Sequence, residues 1–269
     1  MPDLLKKLPT LFISHGGGPW PYIPEMKIQY ANTAAWLAQI PATLPLKPKA
    51  IISISGHWEE KDFSISTAKS PEMIFDYSGF PKHTYKIKYP AAGSLDLAVR
   101  VQQLLSAAGI NNLADAAHGF DHGTFVPLEL MYPNANVPIV SMSHKLGYNP
   151  LEHWMVGQAL QPLRTEGILI IGSGLSYHNM RGFGSTAGSD VSSTFNQWLT
   201  TAVTEKNIER RKQLLLNWEQ APAARLAHPQ EDHLIPLMIV AGAAGADLGV
   251  LEFQDRIMGI DMASYRFSD

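Results

Sequence analysis

The sequence contains no cysteine in 269 residues. That excludes disulfides, thiol catalysis and cysteine-ligated zinc or iron–sulfur centres. Charge of one sign is nowhere concentrated. The formal net charge is −3, with neither a basic block nor an acidic tail, so a nucleic-acid partner is not expected. Apolar runs break well short of the ~20 residues that a membrane span needs, and no membrane association is expected. The opening MPDLLKKLPT has no apolar core and no small-residue cleavage site. A secretory signal is therefore not expected there, and the cytoplasm is the expected location. Internal repeats and low-complexity tracts are also lacking.

What is present suits an α/β protein. Hydrophobic residues make up 45% of the chain, enough for a sizeable core. Short apolar runs at Leu11–Ser14, Ala50–Ser55, Pro138–Ser143 and Ile168–Gly172 read as strands buried on both faces. Phe63–Thr67 alternates and reads as a half-exposed strand, and Ser264–Phe267 as an edge strand. Helical spacing marks Thr33–Gln39, Ser94–Ala108, Glu152–Leu163 and Val191–Val203. His233–Ala244 reads as a buried helix with Pro236 in its first turn. Gly182–Asp190 reads as a mobile loop. The expectation is one catalytic domain over residues 1–269, with a central, mostly buried β-sheet flanked by helices on both faces.

With no thiol available, any metal must be held by His, Asp or Glu, and there are 10 histidines. Their placement is informative. His15 follows LFIS directly and opens His-Gly-Gly-Gly-Pro. His57 follows AIISIS by one glycine. His178 follows ILIIG by a short loop. In open α/β sheets the functional crevice lies outside the carboxyl ends of the strands, so residues far apart in sequence converge there. One histidine at such a place ordinarily satisfies a backbone group; three point to a shared site. His144 also follows a strand and meets the same positional rule. A phosphate-binding reading of Gly16–Gly18 lacks the Lys-Ser/Thr of a P-loop.

His233 is a fourth candidate, in His-Pro-Gln-Glu-Asp-His at residues 228–233. Glu231 and Asp232 are rivals, because iron sites often combine two histidines with a carboxylate. Both also fit as acidic residues at a helix start. His122 lies in Gly-Phe-Asp-His-Gly-Thr-Phe, a binding-loop composition. Asp121 either orients it or forms an Asx-turn. His83, His118 and His153 read as surface residues.

Six segments in order resemble a known family. They are Leu11–Gly16, Ser55–Trp58, Tyr77–Pro81 with Tyr89-Pro90, Asp121–Leu128, Gly172–Arg181 and His228–Leu237. Together they resemble the class III extradiol ring-cleaving dioxygenases, in the 4,5-DOPA dioxygenase-like branch of the LigB superfamily. The resemblance runs from near residue 11 to the C-terminus. It implies an α/β fold and a mononuclear Fe(II) held by His15, His57 and His233, with zinc a substitute in purified or crystallised protein. It implies a catalytic role for His178, close enough to the metal to serve as a ligand in zinc-loaded forms, and a substrate-pocket role for His122. His144 and His83 fall where that family has no fixed histidine. The choice between His233 and Glu231 as third ligand stays open.

The implied partners are a small catecholic substrate and O₂. Three neutral imidazoles on one face of an octahedral ion leave positions for both, and a catecholate dianion neutralises Fe(II). His178, as an imidazole, suits proton transfer. Trp58, Phe125 and Tyr177 are candidates for the aromatic wall, each with core packing as the alternative. Arg181 and Lys145 are candidates to hold a substrate carboxylate, with solvation the alternative for Lys145. A zinc hydrolase and a non-catalytic binding protein of the same fold are the competing readings. Oligomeric state is left open, a homo-oligomer included.

Overall fold

The computed structural model describes residues 6–269. The first half of the opening decapeptide, on which the signal-peptide reading rests, lies outside the described residues. The chain runs β1 (Thr10–Ser14), α1 (Pro24–Gln29), α2 (Ala31–Thr43), β2 (Ala50–Glu60), β3 (Phe63–Ser66), α3 (Leu95–Ala107), β4 (Asn112–Asp115), α4 (His122–Met131), β5 (Ile139–Lys145) and α5 (Pro150–Leu160). It continues with β6 (Ile168–Gly174), α6 (Thr186–Val203), α7 (Ile208–Leu216), α8 (Ala224–Ala227), α9 (Pro236–Ala244), β7 (Leu248–Ile257) and β8 (Ile260–Ser268). All eight strands form one sheet in the order β4-β3-β5-β2-β6-β1-β8-β7.

The apolar runs become the parallel centre of the sheet, β5-β2-β6-β1. Their side chains alternate between two covered faces. Ile52, Ile54, Val140, Met142 and Ile170 pack with α3, α5 and α9 residues such as Val101, Val156 and Ile239. Ile51, Ile139, Leu169 and Ile171 join a larger cluster with Leu37 of α2, Phe125 of α4 and Phe195 of α6. Burial on both faces is why these strands read as unbroken apolar runs. The parallel arrangement brings the carboxyl ends of β1, β2, β5 and β6 to one end of the molecule. Among the described residues, no helix is long and apolar enough to cross a membrane.

Several expectations need correction. Ser264–Phe267 lies in β8, which is internal, paired to β1 on one side and β7 on the other. The edge belongs to β7, whose mixed exposure hides it in the sequence. β3 is buried along its length because β4 and β5 flank it. The Gly182–Asp190 loop is shorter than expected: α6 begins at Thr186, with the Ser185 hydroxyl accepting from Gly188 N. The capped start overrides the low helix propensity of Gly and Ser. His153 is fully buried on α5. Its Nδ1 donates to the Asn149 carbonyl at 2.8 Å, and its Nε2 accepts from Lys145 N at 3.1 Å. His118 is half-buried, with its ring stacked on Trp58 at 3.5 Å.

Candidate metal centre

His15 stands directly after β1, where its N–H still pairs with the Gly174 carbonyl at 3.1 Å. The chain then reverses through Gly16, whose φ of +83° disfavours a side chain. A Cβ there would lie 2.6 Å from Trp20 Nε1. That indole donates to the His15 carbonyl at 2.8 Å and fixes the turn from below.

His57 does not lie past a strand end. β2 continues to Glu60, and its register with β5 shifts between Ile54 and Glu59. His57 sits in that irregularity, which re-aims side chains as bulges do. His233 precedes α9 rather than opening it, in a turn after the His228 loop. Gly174 of β6 lets this turn approach: a Cβ there would collide with the His233 carbonyl. Leu175 N donates to that same carbonyl at 3.0 Å.

The three rings converge. His57 Nε2 lies 3.1 Å from His15 Nε2 and 3.2 Å from His233 Nε2. Their far nitrogens are all engaged. Ser173 Oγ gives its proton to the Gly123 carbonyl, so at 3.0 Å from His15 it accepts from Nδ1–H. His233 Nδ1 donates to Asp232 Oδ2 at 2.7 Å. His57 Nδ1 faces Asp76 Oδ2 at 3.3 Å. With every Nδ1 carrying the proton, three Nε2 lone pairs point at one another with no hydrogen between them. That arrangement repels itself unless a cation sits among them.

The spacing fits one ion. Two nitrogens about 2.1 Å from a metal lie about 3.0 Å apart at a right angle and about 3.4 Å apart at a tetrahedral one. The protonation state fits as well. Burial and the neighbouring imidazoles hold His15 and His57 well below the usual histidine range. Burial likewise pulls His233 down to about 4, against the opposing pull of Asp232. All three stay neutral near pH 7, the form that binds a metal.

His178 and His122 complete the cluster. The His178 ring stacks on His233 with centroids 3.5 Å apart, and its Nδ1 lies 3.4 Å from Asp232 Oδ1. Asp232 thus serves two imidazoles. Burial alone would raise it, but hydrogen bonds from His178 and His233 hold it well below the usual carboxylate range. His122 opens α4 with its ring 4.0 Å from that of His57. Donor atoms of His15, His57 and His122 all fall within 4.8 Å of one another.

Asp121 does not orient His122. It caps α4 by accepting from Thr124 N at 2.9 Å, and it accepts from Ser55 Oγ at 2.8 Å. Burial and the Asp76 charge push its carboxyl up to about 6. Asp76 holds the His122 ring instead. Sequence reasoning passed over Asp76, although the Tyr77–Pro81 segment begins at its neighbour.

Other candidates stand apart. Glu231 is engaged by Arg225 rather than by the cluster. His144 is fully buried at the end of β5, makes no hydrogen bond through either ring nitrogen, and is held down to about 3 by burial. His83 is exposed and meets the Tyr22 carbonyl. Phe125 and Tyr177 belong to the core, and the Trp58 ring faces His118 rather than the cluster. Lys145 pairs with Glu152 at 3.0 Å, and Arg181 is exposed.

Neutral imidazoles, backed by carboxylates at the carboxyl end of the parallel centre of a mixed sheet, define an α/β protein equipped to hold a metal. Residues 9–267 match the family described as the catalytic LigB subunit of aromatic ring-opening dioxygenase. A 4,5-DOPA dioxygenase extradiol of Beta vulgaris is 39% identical over 88% of this chain and 87% of its own length. The dioxygenase tasH of Hapsidospora irregularis is 36% identical over 96% of this chain and 84% of its own. The crystal structure of an uncharacterized protein from Escherichia coli K12 superposes with a TM-score of 0.80 at 28% identity. It covers 97% of this chain and all of the other. The chain belongs to the LigB family of aromatic ring-opening dioxygenases, on the extradiol side that its motifs anticipate.

Proposed function

We propose that this protein opens the ring of a small DOPA-like catechol beside its two hydroxyls, with O₂ as co-substrate and Fe(II) held by His15, His57 and His233. The observation that carries the reading is the convergence of the His15 and His233 Nε2 atoms on that of His57, at 3.1 and 3.2 Å. Fe(II) bound there supplies coordination positions for vicinal oxygens and the redox capacity that dioxygen chemistry demands.

The protein's part is to position groups and move protons. His15 and His233 are buried and exclude water from one side. His57 and His178 are partly open and mark the side of entry. His178 directs Nδ1 toward Asp232, so its Nε2 is free to take a hydroxyl proton from the catechol and return it to the opened product. Asp232 stabilises the imidazolium formed in between. His122, with Nδ1 donating to Asp76, offers Nε2 to the substrate. Phe125 and Tyr177 act from the core, fixing α4 and the His178 loop. Trp58 acts through its stack with His118.

The same neutral imidazoles suit zinc, the expected occupant of protein purified without iron. The test is oxygen uptake by anaerobically purified protein given Fe(II) and a panel of catechols. Uptake with formation of a yellow semialdehyde product supports the reading, and no uptake across the panel overturns it. Oxygen-independent ester hydrolysis with zinc would instead mark a hydrolase. His15→Ala and His57→Ala abolish metal retention, and His178→Ala lowers turnover far more than metal affinity.

A further inference from the structure

Asp76 precedes the Tyr77–Pro81 segment in a stretch that has no regular secondary structure of its own. It is nevertheless held in place. Ile74 N donates to the Phe120 carbonyl and Phe120 N to the Glu72 carbonyl, both at 2.8 Å. Met73 and Phe120 form a parallel bridge. The stretch therefore runs beside the residues that lead into α4 and delivers its carboxylate to the start of that helix.

Two donors of His122 bond that carboxylate, and the His57 ring lies beside it. His122 N reaches Oδ1 at 3.1 Å, and His122 Nδ1 lies 2.9 Å from Oδ1 and 2.8 Å from Oδ2. His57 Nδ1 lies 3.3 Å from Oδ2. Among the described residues, the ion-pair partners of Asp76 are these two histidines, with no Lys or Arg. The helix start accounts for only the bond from His122 N, since Asp121 is the N-cap of α4; it leaves the contacts with the two rings unexplained.

An ionised carboxylate only accepts. Each ring nitrogen facing it must therefore carry its proton, and each ring then presents an unprotonated Nε2 on its far side. The rings are 4.0 Å apart, and the His57 Nε2 is the one that faces His15 and His233. We propose that Asp76 is a positioning residue that locks His57 and His122 in the same Nδ1–H tautomer and aims both Nε2 atoms into the metal centre. One side chain thereby ties a metal-holding imidazole to the substrate-side imidazole. The inference rests on the reading of His57 as a ligand.

The experiment begins with the zinc-loaded wild-type protein, which is diamagnetic and needs no turnover. Nitrogen-15 NMR of the histidine rings is expected to place the proton on Nδ1 in both His57 and His122. A proton on Nε2 of His122 overturns the proposal, and this measurement depends on no variant. Asp76→Asn keeps the shape but sets an NH₂ donor against one of the two rings. That ring is expected to reverse its tautomer, and zinc affinity to fall about 10- to 100-fold, while the melting midpoint of the metal-free protein moves little. Wild-type zinc affinity in Asp76→Asn also overturns the proposal. Failure of the ligand reading shows separately, as retention of zinc by His57→Ala.

Discussion

At the scale of the residue, the metal centre depends on where a few protons sit. An imidazole ligates only through a nitrogen that has lost its proton, and the group at its other nitrogen decides which one that is. Ser173 makes that choice for His15. It is fully buried, and its hydroxyl is committed to the Gly123 carbonyl, so it can only accept from His15 Nδ1. Ser173→Ala leaves that N–H buried without a partner, at a cost of about 1–3 kcal/mol, and frees the ring to turn over. Zinc affinity is expected to drop about 10-fold or more, measured by competition with a chelator of known strength. Unchanged affinity would show that the backbone of the His15 turn holds the ring unaided. The contrast between ligands and their partners also explains what was legible. Histidines are few, and those after strand ends stand out in the sequence. Ser173 and Asp76 are common residue types. Their roles arise from contacts across 158 and 46 residues of chain, which no local pattern announces.

At the scale of the element, the parallel strands were legible and their edges were not. β1, β2, β5 and β6 carry unbroken apolar runs because both of their faces are covered. β4 and β7 have exposed positions and lack that signature. Gly119–Phe125 has the composition of a binding loop, yet the Asp121 cap and burial make the chain helical from His122 onward. The irregularity in β2 was also invisible, since a register shift is a relation between two strands. Close approach of elements gives a prediction of its own. Gly174 ends β6 directly beneath the His233 carbonyl, and no side chain fits between them. Gly174→Ala must push the His233 turn away from β6. The expected loss is about 1–3 kcal/mol of stability together with a larger proportional loss of metal affinity, read from melting curves with and without zinc. A drop in melting midpoint with intact metal affinity would mean that the turn moves as a rigid unit with its ligand.

At the scale of the whole molecule, strand order gathers the site and burial sets its working range of pH. Sequence runs identify strands but not their neighbours. That β2 lies between β5 and β6, and so brings His57 between His15 and His233, follows only from the assembled sheet. The same packing buries histidines away from the metal centre. His153 reaches from α5 to the end of β5, and burial lowers it from 6.5 to about 4 despite its bond to the Asn149 carbonyl. A depressed pKa means that the unfolded chain takes up a proton near pH 6.5 while the folded protein refuses it until about pH 4. The contribution to stability is thus complete above pH 6.5 and is lost as pH falls toward 4. By linkage the loss is of order 3 kcal/mol for this residue. His144, lowered to about 3 by burial, extends the decline further into acid. The glutamine amide both donates and accepts as the neutral ring does, but it does not titrate. The metal-free His153→Gln protein is therefore expected to be somewhat less stable at pH 7.5 and to lose less on acidification. Urea midpoints at pH 7.5, 6, 5 and 4 test this, with both proteins stripped of metal so that ligand protonation by the metal centre does not enter the difference. A wild-type curve and a variant curve that fall in parallel would place the acid sensitivity elsewhere in the buried histidine set.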